Sequence, residues 1–134
     1  MDHFELGPIG QIALRVHDVG AATAYYRDRL GLGYLFSAPT PGSGSEPGMA
    51  FFDCDGIRLL LGRPESEADD HPGSILYFRV EDIRAAHATL SARGVAFVEE
   101  PHRVADLGKA ELWLAFFRDP WENTLALMAE VPKE

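Results

Sequence analysis

Of the histidines and carboxylates in this 134-residue chain, His102 and Glu111 are the candidates for a general base. Such a base takes a proton only from a group within hydrogen-bond reach, and Tyr77 or Arg58 would serve as the matching electrophilic partner. Each base also has a plainer reading, as a solvated loop histidine and a solvated edge glutamate. The other histidines offer less. His3 falls in the N-terminal tail, His17 in the link between a strand and a helix, and His71 in an acidic stretch. His87 reads as mid-helix with no ligand residue one turn further on. No Cys/His pair has zinc spacing. Cys54 is the one cysteine, so it forms no internal disulfide, and no basic neighbour in sequence favours its thiolate.

The elements that must carry these groups read twice. Residues 9–16, IGQIALRV, alternate as a strand, with Gln11, Ala13 and Arg15 on one face and Ile12, Leu14 and Val16 on the other. Asp18 is a helix N-cap, because its carboxylate can accept from the orphan amides of the first turn. Ala21, Ala22, Tyr25, Tyr26 and Leu30 follow at helical spacing, and Gly31 closes the run. A strand over residues 32–37, a Pro/Gly/Ser-rich loop over 38–48 and a hairpin turning at Asp55-Gly56 complete the first pass. The second pass has a strand over 74–80, a helix capped by Asp82 and ended by Gly94, and a strand over 95–99. A loop with Pro101, His102 and Gly108 leads to the hairpin ELWLAFFRDPWENTLALM. Val16-x-Asp18-Val19 and Val80-x-Asp82-Ile83 stand 64 residues apart. Each half is therefore β-α-β-β-β, and the expected class is α+β. The expected organisation is a single domain over 1–134, with one module at about 8–62, an acidic linker at 63–73 and a second module at about 74–130.

Composition bounds the partners. The formal net charge of −9 disfavours nucleic acid and anionic membrane. No apolar stretch approaches the roughly 20 residues that span a bilayer. The N-terminus lacks a basic region followed by an apolar run, so a cytoplasmic location is expected.

The runs IGQIALRVHDVGAATAYYRDRLGL and SILYFRVEDIRAAHATLSARGV, with the turn FFRDPWEN, resemble the vicinal oxygen chelate superfamily of glyoxalase I, bleomycin-resistance proteins and extradiol dioxygenases. The resemblance implies two βαβββ modules side by side, forming a curled mixed sheet around a cleft. It also implies a homodimer. Metal-dependent members draw four ligands from equivalent strand positions, which fall here on Gln11, Leu60, Ile75 and Ala126. One amide and three hydrocarbons are a poor donor set for a divalent ion. The expectation is no metal and no cofactor.

Strand alternation then nominates the lining of a small-molecule site. Gln11 comes from the first strand, Arg58 and Leu60 from the fourth, Ile75 and Tyr77 from the fifth, and Thr124, Ala126 and Met128 from the last. Residues 111–117 present either Trp113, Ala115 and Phe117 or Leu112, Leu114 and Phe116. Counting from Met49 and Phe51 favours the first set. Simple core filling is the competing reading for Leu60, Ile75 and Ala126. The expected function is metal-free binding of a small, partly aromatic organic molecule. The alternative is an enzyme using a metal or a base at His102 or Glu111.

Overall fold

The computed structural model describes residues 4–134, so His3 lies outside the described residues. The chain divides into two compact units, one ending at Asp70 and the other running from His71 to Glu134. Each has its own sheet with its own helix, and together they make an α+β protein. No helix among the described residues is long and apolar enough to cross a membrane.

The first unit contains β1 (Gln11–Arg15), α1 (Val19–Ala24), β2 (Gly33–Ala38), β3 (Met49–Cys54) and β4 (Ile57–Gly62). A π-helical turn, Tyr25–Arg29, prolongs α1. The Asp18 carboxylate accepts from the Ala21 amide at 2.9 Å, as the N-cap reading expects. The strands lie in the order β1-β4-β3-β2, with β1 parallel to β4 and the rest antiparallel. Asp55 and Gly56 both have positive φ (55° and 95°), the conformation a two-residue hairpin turn needs. One sheet face packs on the helical segment. Leu14, Val16, Ala50, Phe52, Leu59 and Leu61 are buried there with Val19, Ala22 and Tyr26. The Tyr26 and Phe52 rings approach to 6.2 Å.

The unit closes on a polar tie. Asp70 lies 2.9 Å from Arg15 Nε and 2.8 Å from His17 Nε2. The hydrogen bond from His17, and then the charges of His17 and Arg15, hold the Asp70 carboxyl below its ordinary range. A carboxyl depressed by folding stabilises the fold above its unfolded value, near 3.9, and loses that contribution as pH falls through the folded value. Asp70→Asn is therefore expected to melt at a lower temperature than the parent at pH 7. The gap should close below about pH 3.9. Melting curves across pH 2–7 on the order of unit steps check this; a gap that persists in acid would show that the charge is not responsible.

The second unit contains β5 (Leu76–Arg79), α2 (Ile83–Ala92), β6 (Ala96–Phe97), β7 (His102–Asp106), β8 (Ala110–Arg118) and β9 (Thr124–Pro132). Asp82 caps α2 by accepting from the Ala85 amide at 3.0 Å. The strand order is β5-β9-β8-β6, with β5 parallel to β9 and β7 also paired to β8. The segment after Pro101, expected as a loop, is thus partly strand. The nine-residue β8 outruns the two-residue β6, and β7 occupies the length left over.

The β8–β9 turn is held from inside. Asp119 is 4% exposed and Asn123 2%. One Asp119 oxygen accepts from the Trp121 and Asn123 amides, both at 2.9 Å, and the other from Asn123 Nδ2 at 2.8 Å. Glu122, at φ 67°, takes a left-handed conformation, which asparagine adopts more readily than glutamate. Asn123 is instead committed to Asp119 through its backbone and side chain, so the strain falls on Glu122.

Candidate functional site

In each unit the sheet face away from its helix carries the candidate residues. In the first unit, register pairs Gln11 with Arg58, Ala13 with Leu60, Leu60 with Phe51, and Phe51 with Phe36. Gln11, Arg58, Leu60, Phe51 and Phe36 therefore share one surface. Arg58 Nε donates to Gln11 Oε1 at 2.8 Å. The Arg58 guanidinium also lies 5.2 Å from the Phe51 ring centroid, a cation–π contact. Phe36 stacks on Phe51 at 4.5 Å and 26°, and remains 45% exposed. Leu60 and Met49 continue into a groove of about 610 Å³ shared with Thr40, Gly48 and Arg63.

Phe36 is absent from the sequence-based set. Strict alternation would put it with Tyr34, but a bulge lies between them. Tyr34 pairs with Phe52 on the helix side, and the extra residue turns Phe36 to the opposite face. A six-residue strand carries no sequence mark of that bulge.

In the second unit, Tyr77, Ala126 and Phe116 align across three strands. The Tyr77 and Phe116 rings meet edge-to-face at 6.0 Å. Thr124 and Met128 lie on this same face of β9, both partly exposed. Tyr77 is 47% exposed and Ile75, just before β5, is 40% exposed. Ala126 is fully buried, so it presents no surface to a ligand.

Trp113 and Phe117 must be removed from this face. Phe117 is 1% exposed and packs 5.2 Å from Phe97, on the side of α2. The Arg84 guanidinium of α2 covers Trp113 at 5.1 Å. The cause is one residue in a turn. Four residues separate the paired Asp53 and Arg58, whereas five separate the paired Arg118 and Thr124. The counting offset carried from the first hairpin thus slips by one on β8. A slip of one moves every side chain to the other face. Leu112, Leu114 and Phe116 take the side that Trp113, Ala115 and Phe117 were assigned.

The two candidate bases diverge for the same reason. His102 pairs with Leu114, on the Tyr77 side of the sheet. Its Nδ1 lies 3.2 Å from the Glu100 carbonyl oxygen and its Nε2 3.6 Å from the Glu99 carboxylate. Glu111 lies on the Trp113 side, 3.4 Å from Arg103 Nη1 and 3.4 Å from Trp113 Nε1. A substrate on one face of this sheet cannot be served by both. Cys54 is half-buried, and burial raises its thiol above the ordinary value, with the Asp53 charge adding to the effect. That is the reverse of what a nucleophile needs.

The four strand positions that would hold a metal do not suit one. Leu60, Ile75 and Ala126 have no donor atoms, and the Gln11 oxygen is engaged by a guanidinium. A cation beside Arg58 would meet like charge as well as lacking ligands. Among the described residues, no group of three or more His, Cys, Asp or Glu is placed to hold a metal ion.

Comparison with known proteins is consistent with this architecture. The family model described as the Glyoxalase/Bleomycin resistance protein/Dioxygenase superfamily matches residues 8–127. No curated protein matches. Among solved structures, a member of the glyoxalase/bleomycin resistance protein/dioxygenase superfamily from Sphaerobacter thermophilus is 24% identical with a TM-score of 0.73, covering 93% of this chain and 98% of its own. A lactoylglutathione lyase from Agrobacterium tumefaciens is 22% identical with a TM-score of 0.73, covering 93% and 95%. A glyoxalase/bleomycin resistance protein/dioxygenase from Nocardioides is 21% identical with a TM-score of 0.71, covering 96% and 87%. At these identities the likeness is one of fold.

Proposed function

The chain belongs to the Glyoxalase/Bleomycin resistance protein/Dioxygenase superfamily, and we propose that it is a metal-independent member that binds a small, partly aromatic organic molecule. One observation carries the reading. Where a metal-dependent relative would place ligands, this chain has three hydrocarbons and a glutamine already bonded to Arg58. Gln11, Arg58 and Leu60, with Phe36, form the recognition surface of the first unit, and the buried Phe51 supports it from beneath. Tyr77, Thr124 and Met128, with Phe116, are the corresponding set in the second. Such a mixture of apolar walls and a few polar groups is the ordinary make-up of a small-molecule site. The reading includes a homodimer in the cytoplasm, with neither nucleic acid nor membrane as a partner.

Two measurements on purified protein test it. Metal analysis is expected to find no stoichiometric transition metal, and chelation to leave the melting temperature unchanged. A thermal-shift screen of several hundred aromatic and amphipathic compounds, roughly, is expected to return hits, since a ligand at about a hundred times its Kd stabilises by about 2.7 kcal/mol. A bound metal at one equivalent, released by chelator with loss of stability, would overturn the reading.

A further inference from the structure

We infer that the organic ligand is an aryl carboxylic acid, with Arg58 as the anchor of its carboxylate and the exposed Phe36, backed by the buried Phe51, as the platform for its ring. The inference rests on the binding function proposed above and adds the chemical class. Arg58 is exposed, yet among the described residues no carboxylate pairs with it. Asp53 is its cross-strand neighbour and the natural counter-ion, but its carboxylate accepts from the Gly56 amide at 2.9 Å instead. In a chain with 21 acidic and 12 basic residues, Arg58 combines a solvent-facing guanidinium that has no carboxylate partner with a glutamine and an aromatic ring that hold it in place. Arg15, Arg79 and Arg103 of these sheets are neutralised by Asp70, Glu130 and Glu111; Arg118, at the end of β8, also has no carboxylate partner among the described residues, but no glutamine or aromatic ring holds it in place.

The guanidinium is also held in place. Gln11 takes Nε–H, and the Phe51 ring lies against the planar cation. The two terminal amino groups remain, side by side in one plane. That fork matches the two oxygens of a carboxylate, whereas an ammonium would not offer the pair. Because Gln11 and Phe51 restrict the side chain beforehand, less rotamer entropy is lost when the acid docks. Beyond Phe51 the exposed face of Phe36 extends the apolar surface, and Leu60 and Met49 lead into the groove. An acid bearing a ring satisfies both ends. A neutral ring would leave the cation unmatched, and a bare carboxylate would leave Phe36 uncovered.

The test uses the full chain and matched pairs of probes: 1-naphthoate, 2-naphthoate and phenylacetate, each against its primary amide, by titration calorimetry at two salt concentrations. At least one acid is expected to bind about tenfold or more tightly than its amide, as a charge-assisted bidentate contact requires. That preference should shrink at high salt. Arg58→Met should abolish the preference, bringing acid and amide to the same affinity, and Arg58→Lys should restore only part of it. Gln11→Leu should weaken the acid alone, by releasing the guanidinium. Acid and amide binding equally would overturn the inference while leaving the proposed binding function standing. So would a preference that survives Arg58→Met or high salt. Failure of every acid to bind also overturns it, and the broad compound screen then judges the binding function separately. The salt titration needs no variant, so a substitution that failed to fold would not remove the test.

Discussion

Phe117→Ala is expected to cost roughly 3–5 kcal/mol of folding stability, the usual range for emptying a fully buried aromatic site. Phe117 is enclosed on the helix side of its sheet, against Phe97, whose ring in turn lies 4.3 Å from His87 of α2. No surrounding strand can move in to fill the space without breaking its ladder. The neighbouring substitution, Phe116→Ala, should cost only about 1–2 kcal/mol, because Phe116 is partly exposed and its loss opens surface rather than a cavity. The order reverses for ligand: Phe116→Ala should weaken binding at the Tyr77 face, and folded Phe117→Ala should not. Urea unfolding of both variants reads the first difference, and titration with a screened ligand reads the second. Equal destabilisation by the two substitutions would mean that the face assignment of β8 is wrong.

Asp119→Ala should destabilise the second unit by roughly 2–4 kcal/mol, since it removes the acceptor of three donors together, two of them buried. The Trp121 amide, the Asn123 amide and Asn123 Nδ2 all lose an acceptor, and the last two are buried. Asp119→Asn should recover only part of the loss. An amide in that position can present one oxygen, but its NH₂ group would face a donor at the other. The turn also holds Glu122 at φ 67°, a conformation that costs a non-glycine residue about 1 kcal/mol or more. With the side-chain bonds of Asp119 gone, the turn is left to backbone bonds such as those from the Asp119 amide to the Asn123 carbonyl and from the Glu122 amide to the Asp119 carbonyl, so the hairpin is expected to fray from the turn. Denaturation midpoints give the size of the loss. Hydrogen exchange at the Trp121 and Asn123 amides locates it, and unchanged protection there would refute the role assigned to Asp119.

Much of the architecture was legible in the order of residues. Asp18 and Asp82 cap helices because a short carboxylate before an apolar-periodic run has few better uses. Gly31 and Gly94 end those helices at positive φ (77° and 87°), where a side chain would be strained. Strand periodicity brought Gln11, Arg58 and Leu60 to one face, because a two-residue Asp-Gly turn leaves little freedom in how β3 and β4 pair. The replacement of would-be metal ligands by Leu60, Ile75 and Ala126 is a matter of residue type alone. It stands whatever the chain does around them.

Other features depend on contacts between distant segments, which local pattern does not encode. The β7 strand forms because β8 has an unpaired length to offer, and a run flanked by Pro101 and Gly108 does not announce such a partner. The orientation of Trp113 and Phe117 turned on one additional residue in the β8–β9 turn. Periodicity specifies that alternate residues share a side, but only the pairing of strands specifies which side. Phe36 reached the Arg58 surface through a bulge. The Arg58–Gln11 bond joins residues 47 positions apart. Sequence alone thus determined the doubled α+β scaffold, its capped helices and the loss of metal donors, since these follow from side-chain chemistry and spacing within single segments. Tertiary structure decided which aromatic rings face outward and what the one polar ligand position is bonded to, because those are set by hydrogen-bond register between strands that meet only when the chain folds.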